Sequence, residues 1–220
     1  MLLTYLGHSA FEIELNGKKI LIDPFLVKCQ NYNPAGVTDI FVTHGHSDHL
    51  GGAIEISRNT NATITAIFEL ANYCASKGAR ANGINLGAWI DYPWGRVAAV
   101  PAFHSSSTPD GKYAGCPCGF VFKIGGRVLY HAGDTCLNSE MKMIGEFYKP
   151  DLAMLPIGGT YTMDIEAVQK ASEWLEADAI VPMHYNTFEA ISVDLTEFET
   201  VIRELGKVPL VMKVGQTISV

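Results

Sequence analysis

The segment Thr43-His44-Gly45-His46-Ser47-Asp48-His49-Leu50-Gly51-Gly52 contains three histidines and an aspartate within six residues. It continues from Asp39–Thr43, a short apolar run ending at polar residues, which is typical of a buried strand. With 7 histidines in 220 residues, chance would place His-x-His-x-Asp-His with a probability of roughly 3 in 10,000, so the signal is strong. Imidazole and carboxylate groups suit Zn²⁺, Mn²⁺ or Fe²⁺. The segment therefore predicts a metal site at the end of a buried strand.

The spacing of these residues indicates two neighbouring metal positions. Two histidines separated by one residue in an extended backbone point to the same side, so His44 and His46 can bind one ion together. Asp48 and His49 come after the chain turns, and they can face a second ion. The alternative, a solvated polar loop, is disfavoured because histidines beside a buried strand are costly to leave without partners.

Four ligands cannot complete two metal sites, so further ligands are expected elsewhere in the chain. Three candidates follow predicted strands: His104 after Val100–Phe103, Asp134 within His131–Thr135, and His184 after Ile180–Met183. Any one of them alone would more often be an ordinary loop residue. Taken together with the first segment, they complete a predicted set of seven metal ligands.

Length and composition favour one large packed domain, which we place at residues 1–220. Hydrophobic residues make up 48% of the chain and charged residues 18%, which argues against disorder. The net charge is −7 without a lysine- or arginine-rich run, so broad binding to nucleic acid or anionic membranes is not expected. No apolar stretch approaches the ~20 residues that span a bilayer. Met1–Leu6 lacks a signal-peptide pattern and the five cysteines are irregularly spaced, so a cytoplasmic location is predicted.

The hydrophobic pattern predicts an α/β fold in which hairpins are followed by strand–helix units. Strands are expected at Leu2–Leu6, Ala10–Leu15, Lys19–Asp23, Asp39–Thr43, Thr63–Ile67, Arg96–Pro101, Gly119–Ile124, Arg127–His131, Asp151–Ile157, Asp178–Met183 and Leu210–Val214. The hairpin turns are expected at Asn16-Gly17 and Gly125-Gly126. Helices are expected after the first motif, over Glu69–Lys77, behind an N-cap at Asp164, and over Leu195–Leu205 before Gly206. Two packed sheets with helices on both outer faces would bury this much apolar strand.

The sequence resembles the metallo-β-lactamase superfamily across nearly the whole chain. Its markers occur in the order typical of that family: Gly7-His8-Ser9, Asp23-Pro24, the His-x-His-x-Asp-His segment, His104, Gly133-Asp134-Thr135 and His184. Within the family it is most similar to small metal-dependent hydrolases related to the ascorbate-6-phosphate lactonase. The resemblance implies a four-layer αββα sandwich with the active site at the edge between the sheets.

The resemblance also implies a role for each candidate residue. His44, His46 and His104 would bind one ion, Asp48, His49 and His184 the other, and Asp134 would bridge them. Asp23 would orient a ligand histidine from beneath the site. Asp48 and His8 would be the catalytic residues: Asp48 as a ligand that also orients the nucleophile or moves a proton, His8 as a donor to developing charge. Water held between the ions would lose a proton near neutral pH and attack an ester, lactone or phosphoester of a small molecule.

Several alternatives remain open at this stage. The two ions are expected to be Zn²⁺, with Mn²⁺, Fe²⁺ or Ni²⁺ as alternatives, because such sites accept several metals. A phosphodiesterase acting on RNA is disfavoured because the chain is acidic and lacks an extra arm for tRNA. A non-catalytic metal-binding protein is disfavoured by the intact ligand set, and an oxidoreductase by His46, where redox members of the family carry glutamate. The expected partner is a small-molecule substrate; no membrane partner is expected, and a homo-oligomer is left open.

Overall fold

Two seven-stranded sheets with helices packed beside them make up the structure, a computed structural model that describes residues 1–220. The residues divide into two units. Unit 1 comprises Met1–Leu86, Ser105–Pro117 and Lys213–Val220, and unit 2 comprises Gly87–His104 and Cys118–Met212. Each unit contains one of the two sheets. The predicted α/β class, with two sheets flanked by helices, is confirmed.

The elements are numbered in chain order. The strands are Leu2–Gly7 (β1), Ala10–Leu15 (β2), Lys18–Ile22 (β3), Val37–Phe41 (β4), Thr63–Ile67 (β5), Arg80–Ile84 (β6), Ile90–Tyr92 (β7), Gly95–Pro101 (β8), Cys118–Ile124 (β9), Arg127–His131 (β10), Leu152–Pro156 (β11), Ala179–Met183 (β12), Val208–Pro209 (β13) and Thr217–Ser219 (β14). The α-helices are Ser47–Leu50 (α1), Ala53–Thr60 (α2), Phe68–Ser76 (α3), Glu140–Tyr148 (α4), Ile165–Leu175 (α5) and Leu195–Glu204 (α6), and a 3₁₀ turn spans Glu189–Ile191. None of these helices combines the length and the apolar character needed to cross a bilayer.

The sheet of unit 1 has the strand order β14-β1-β2-β3-β4-β5-β6. Strands β14 to β3 pair antiparallel, and β3 to β6 pair parallel. Asn16 and Gly17 form the β2–β3 turn with φ of 51° and 74°, the left-handed conformation that a tight two-residue hairpin requires. Helices α2 and α3 pack on β4, β5 and β6, where Ile40, Ile64 and Leu70 are fully buried. Because β3 and β4 are adjacent and parallel, the residues that follow them lie side by side.

The sheet of unit 2 has the order β13-β12-β11-β10-β9-β8-β7. Strands β7 to β10 pair antiparallel, and β10 to β13 pair parallel. The predicted Gly125-Gly126 turn joins β9 to β10, with φ of 59° and 81°. The predicted N-cap is also present, since the Asp164 side chain accepts from the Ala167 backbone N–H at 2.9 Å. The parallel strands β10, β11 and β12 share one carboxyl edge, and candidate ligands follow two of them.

Most predicted elements agree with the structure to within two residues, but the predicted last strand, Leu210–Val214, is wrong. That segment has no strand structure, and the final pairings are made by β13 and β14 on either side of it. Of its apolar side chains only Met212 is buried, so the apolar pattern did not indicate a place in a sheet. The sequence pattern also missed β6, β7 and α4. The first two are short strands, each pairing at an edge of its sheet.

Candidate metal centre

Asp23 organises the ligand segment of unit 1 from beneath. It follows β3, is completely buried, and accepts from the Thr43 backbone N–H at 2.8 Å and from the Thr43 hydroxyl at 2.7 Å. The Nδ1 atom of His49 lies 2.7 Å from the same carboxylate. A carboxylate can only accept there, so Nδ1 carries a proton and a neutral ring offers Nε2 as a ligand. The contact that the resemblance implied for Asp23 is therefore present.

His44 and His46 converge through one nitrogen each. The Nε2 atom of His44 lies 3.0 Å from Nδ1 of His46, and the ring centroids are 4.6 Å apart. The Thr43 hydroxyl donates its one hydrogen bond to Asp23. It therefore accepts from Nδ1 of His44, which is 3.1 Å away. Nε2 of His44 then carries a lone pair in the neutral ring. Two imidazole nitrogens directed at one point fit a cation, which both could ligate.

The turn between these histidines and the next two candidates depends on close backbone approaches. Helix α1 begins after His46, and its single turn carries Asp48 and His49. A Cβ at Gly51 would lie 2.3 Å from the carbonyl oxygen of Pro24, so only glycine fits against the loop that follows β3. Gly45 is similarly enclosed, because its Cβ would lie 2.6 Å from Ala114 Cβ. The glycines at 45 and 51 therefore allow the close backbone approaches on which the position of the candidate ligands depends.

His8 lies against Asp48. It follows β1 with a φ of 55°, and its Nε2 is 3.2 Å from Oδ2 of Asp48. The His8 side chain is completely buried whereas that of Asp48 is 25% exposed, so the carboxylate is the outer member of the pair. The candidate ligand atoms of His8, Asp48 and His49 lie within 4.8 Å of one another. The structure thus brings both predicted catalytic residues together; their roles in catalysis stay predictions.

Unit 2 brings its three candidates together around one carboxylate oxygen. The Oδ2 atom of Asp134, a residue that is 2% exposed, lies 3.1 Å from Nε2 of His184 and 3.6 Å from Nε2 of His104. The three residues follow β10, β12 and β8 respectively. His184 has a φ of 55°, a conformation in which non-glycine residues are uncommon and which directs its ring toward Asp134. A shared carboxylate with two imidazoles is a donor set that suits divalent metal ions.

Hydroxyl and backbone groups hold this second set in place. The Thr135 hydroxyl accepts from the backbone N–H of Phe103 at 3.0 Å and donates to the Cys136 carbonyl at 2.9 Å. It therefore links the loop before His104 to the loop that carries Asp134. Nδ1 of His131 accepts from the Gly133 N–H at 3.2 Å, which fixes the backbone just before Asp134.

Three supporting residues were missed by sequence analysis. Thr43 and Thr135 each directly adjoin a candidate ligand, and Ser106 accepts from the Gly45 N–H at 3.2 Å through its Oγ. For the two threonines, their position beside a candidate ligand in the sequence was the signal that could have indicated a supporting role. Gly158 is closely enclosed as well: a Cβ there would lie 2.2 Å from the His184 carbonyl oxygen, so its glycine lets His184 pack.

The loop of residues 105–117, which contains Ser106, is anchored to α3 of unit 1. Asp110 lies 3.4 Å from the Lys112 ammonium and 3.6 Å from that of Lys77, one residue beyond α3. The Thr108 hydroxyl, which donates to the Asp110 carboxylate, is the largest of the effects that lower the pKa of Asp110 to about 2. Asp110 therefore stays charged over the whole physiological pH range and can pair with both ammonium groups.

Comparison with known proteins adds independent findings. Residues 2–184 match the sequence profile described as "Beta-lactamase superfamily domain". A relative described as a "UPF0173 metal-dependent hydrolase" from Geobacillus thermodenitrificans is 44% identical over 210 residues, covering 92% of this chain and 93% of the relative. Another protein of that description, from Staphylothermus marinus, is 43% identical over 230 residues, with 98% and 97% covered. The solved structure of Igni18, a metallo hydrolase from the archaeon Ignicoccus hospitalis, superposes with a TM-score of 0.88 at 39% identity, covering 99% of this chain and 97% of that one.

Proposed function

This chain belongs to the metallo-β-lactamase superfamily and is a metal-dependent hydrolase, and from that premise we propose that it hydrolyses a small-molecule substrate with two divalent ions. One observation carries the proposal. In each unit, buried or partly buried histidines converge on one another or on a shared aspartate. The matched residues 2–184 contain parts of both units. We therefore propose that residues 1–220 act as one catalytic domain.

The proposed ligands are assigned as follows: His44, His46 and His104 to the first ion, Asp48, His49 and His184 to the second, and Asp134 to both. In unit 1 the assignment is supported by the 3.0 Å approach of the His44 and His46 nitrogens. In unit 2 it is supported by the shared contact of His104 and His184 with one oxygen of Asp134. A carboxylate that touches two ligand histidines is well placed to bind both ions.

The nature of the donors guides the choice of metal. Imidazole donors suit Zn²⁺, and we propose Zn²⁺ as the bound ion. Mn²⁺, Fe²⁺ and Ni²⁺ suit the same imidazole and carboxylate donors, so they are competitors decided by supply. When bound, the ions would activate a water molecule at neutral pH and polarise the carbonyl or phosphoryl oxygen under attack. That chemistry suits esters, lactones and phosphoesters.

Asp48 and His8 would supply the proton handling on the unit 1 side. Asp48 has a partly exposed carboxylate that can orient the attacking water and receive its proton. Nε2 of His8, 3.2 Å away, holds one oxygen of that carboxylate and leaves the other to the site. Because the His8 ring is buried and the peptide after β1 holds it in a left-handed conformation, its position is well defined. Because Nε2 is directed at Asp48, His8 would act on the reaction through that carboxylate, which it holds in position.

Metal analysis and a substrate panel test this proposal together. Full-chain protein stripped of metal is reconstituted separately with Zn²⁺ and Mn²⁺, and we expect about two ions per chain. His44→Ala and His104→Ala should preferentially empty one position, and His184→Ala the other. Asp91→Ala, which removes an exposed carboxylate paired with Arg96, is the control and should keep both ions.

The outcomes separate the competing functions. No metal after reconstitution, or full metal content in all three histidine variants, would overturn the ligand assignment. Two ions without turnover of any lactone, ester, thioester or phosphoester would favour a metal-binding protein that is not an enzyme. Turnover confined to RNA would identify a phosphodiesterase instead.

A further inference from the structure

Three large aromatic side chains are exposed on loops of unit 2 that either contain a proposed ligand or are hydrogen-bonded to a loop that does. Phe103 is 53% exposed, Tyr161 is 59% exposed and Phe188 is 49% exposed. Phe103 directly precedes His104, and Phe188 lies in the loop that His184 begins. Single exposed apolar residues are ordinary, but several on neighbouring loops around a candidate site are typical of ligand recognition. We call these three side chains the aromatic rim.

Hydrogen bonds join the loops that carry the aromatic rim. Thr135, next to the proposed bridging aspartate, accepts from the Phe103 N–H at 3.0 Å through its hydroxyl. Its carbonyl accepts from the Met163 N–H at 3.2 Å, in the loop that contains Tyr161. That loop is tied to the Phe188 loop, because the Thr160 hydroxyl donates to the carbonyl of Ala190 at 2.8 Å. The rim residues therefore sit on one connected set of loops that also carries the unit 2 ligands.

The charges of these loops disfavour an anionic ligand. Residues 101–104, 132–139, 157–164 and 184–194 contain no lysine and no arginine, the side chains that recognise phosphate and carboxylate groups. Their charged residues are all acidic: Asp134, Asp164, Glu189 and Asp194. The N-termini of α5 and α6, which could attract an anion, are already capped by the carboxylates of Asp164 and Asp194. An anion at either of these N-termini would have to compete with the chain's own carboxylate.

We propose that the aromatic rim binds an uncharged aryl or alkyl part of the substrate. This inference rests on the proposed hydrolytic function and narrows its substrate class to neutral, apolar esters or lactones. Outside the proposed metal ligands, the charged groups of these loops are all acidic, so a phosphate group held away from the metals would find no cation to pair with there. Stacking and edge contacts with the rim rings would instead orient an aryl group beside the proposed ligands.

Matched esters with one leaving group test the substrate class. The metal-loaded full chain is assayed with the 4-nitrophenyl esters of acetate, 3-phenylpropanoate and succinate, the last keeping a free carboxylate. We expect kcat/KM for the phenylpropanoate ester to exceed that for the succinate ester by at least about tenfold. In Tyr161→Ala and Phe188→Ala, the ratio of phenylpropanoate to acetate kcat/KM should fall about three- to tenfold per ring. Phe147→Ala removes a phenyl ring that is 70% exposed on α4 of the same unit, and it should leave the ratio unchanged.

A binding measurement separates failure of this inference from failure of the hydrolase proposal. Ligand-observed NMR with N-phenethylacetamide, a neutral aryl amide, should detect binding to the wild-type chain with and without metal, and weaker binding to Phe188→Ala. If no ester is hydrolysed but this binding pattern is observed, the aryl-binding role of the aromatic rim is supported and the proposed ester hydrolysis is rejected. Preference for the succinate ester, or aryl binding unaffected by the rim variants, would overturn the inference. A change of oligomeric state in Phe188→Ala, measured by light scattering, would identify the rim as a contact between copies and would also overturn it.

Discussion

The two units hold their candidate ligands by different means. In unit 1 four candidates come from one continuous segment, residues 44–49, and the completely buried carboxylate of Asp23 supports them through side-chain contacts. In unit 2 the three candidates follow three different strands, and backbone groups and the Thr135 hydroxyl hold their loops. Unit 1 therefore depends on one charged group, whereas unit 2 depends on strand positions and several weaker contacts.

This difference affects what a mutation should do. Removing a single buried charged partner leaves several polar groups without their acceptor at once, which is costly. Removing one hydroxyl from a network of loops leaves the strands that position the ligands intact. We therefore expect supporting residues to matter more for metal binding in unit 1 than in unit 2, although the ligands themselves matter in both.

Asp134→Ala should produce the largest effect. If its carboxylate serves both ions, both ions should bind more weakly. Turnover should then fall at least about 10³-fold, because the metals' stabilisation of the transition state, several kcal/mol, is lost. Each single-histidine variant should lose less. Metal stoichiometry and kcat/KM across these variants are the measurements. An Asp134→Ala protein that keeps two ions and most of its turnover would show that unit 2 contributes no bridging ligand.

His8→Ala tests whether unit 1 contributes more than metal ligands. With the ring removed, Asp48 loses the contact at 3.2 Å while the proposed ligands stay in place. We expect two bound ions, a folded protein, and a turnover that is lower by on the order of 10²–10³.

His8→Gln is the informative control for this prediction, since its amide nitrogen can replace Nε2 as a donor to Asp48. It should recover part of the turnover. Thermal unfolding separates the functional effect from packing: reduced stability with unchanged turnover per folded molecule would make His8 a packing residue.

The proposed ligands of unit 1 could be selected from the sequence because they form one dense local pattern, residues 44–49. His104 and His184 were recognisable only after that pattern, since each alone looks like a loop histidine. The contacts of Thr135 were not predictable, because its partner Phe103 is brought to it by the sheet rather than by the sequence. A similar limit explains the wrong strand at Leu210–Val214. Its apolar residues had strand propensity, but whether a run pairs depends on neighbouring strands as well as on propensity.

Asp23→Asn addresses the support of unit 1. The asparagine can still accept from the Thr43 N–H, but it offers one acceptor oxygen where the carboxylate offers two. With its oxygen placed there, its amide nitrogen, which is a donor, would face both the Thr43 hydroxyl and Nδ1 of His49, which both donate to Oδ2 of Asp23 now. Metal affinity should fall about 10–100-fold, as is usual for partners that orient a ligand histidine. Titration with a competing chelator measures it, and an unchanged affinity would show that His49 needs no such support.

Thr135→Val should have the smallest effect and provides the matching test in unit 2. Valine keeps the shape of threonine but leaves the Phe103 N–H and the Asn138 amide without the hydroxyl acceptor they share. We expect the free energy of unfolding to fall by about 1–2 kcal/mol, the usual cost of such a loss. Metal affinity should change less than about tenfold, since β8, β10 and β12 still deliver the ligands. Thr135→Ser, which keeps the hydroxyl, should restore most of the stability, as urea denaturation can measure. If Thr135→Val instead weakens metal binding as much as Asp23→Asn does, unit 2 relies on one supporting side chain just as unit 1 does, and the contrast between the units is wrong.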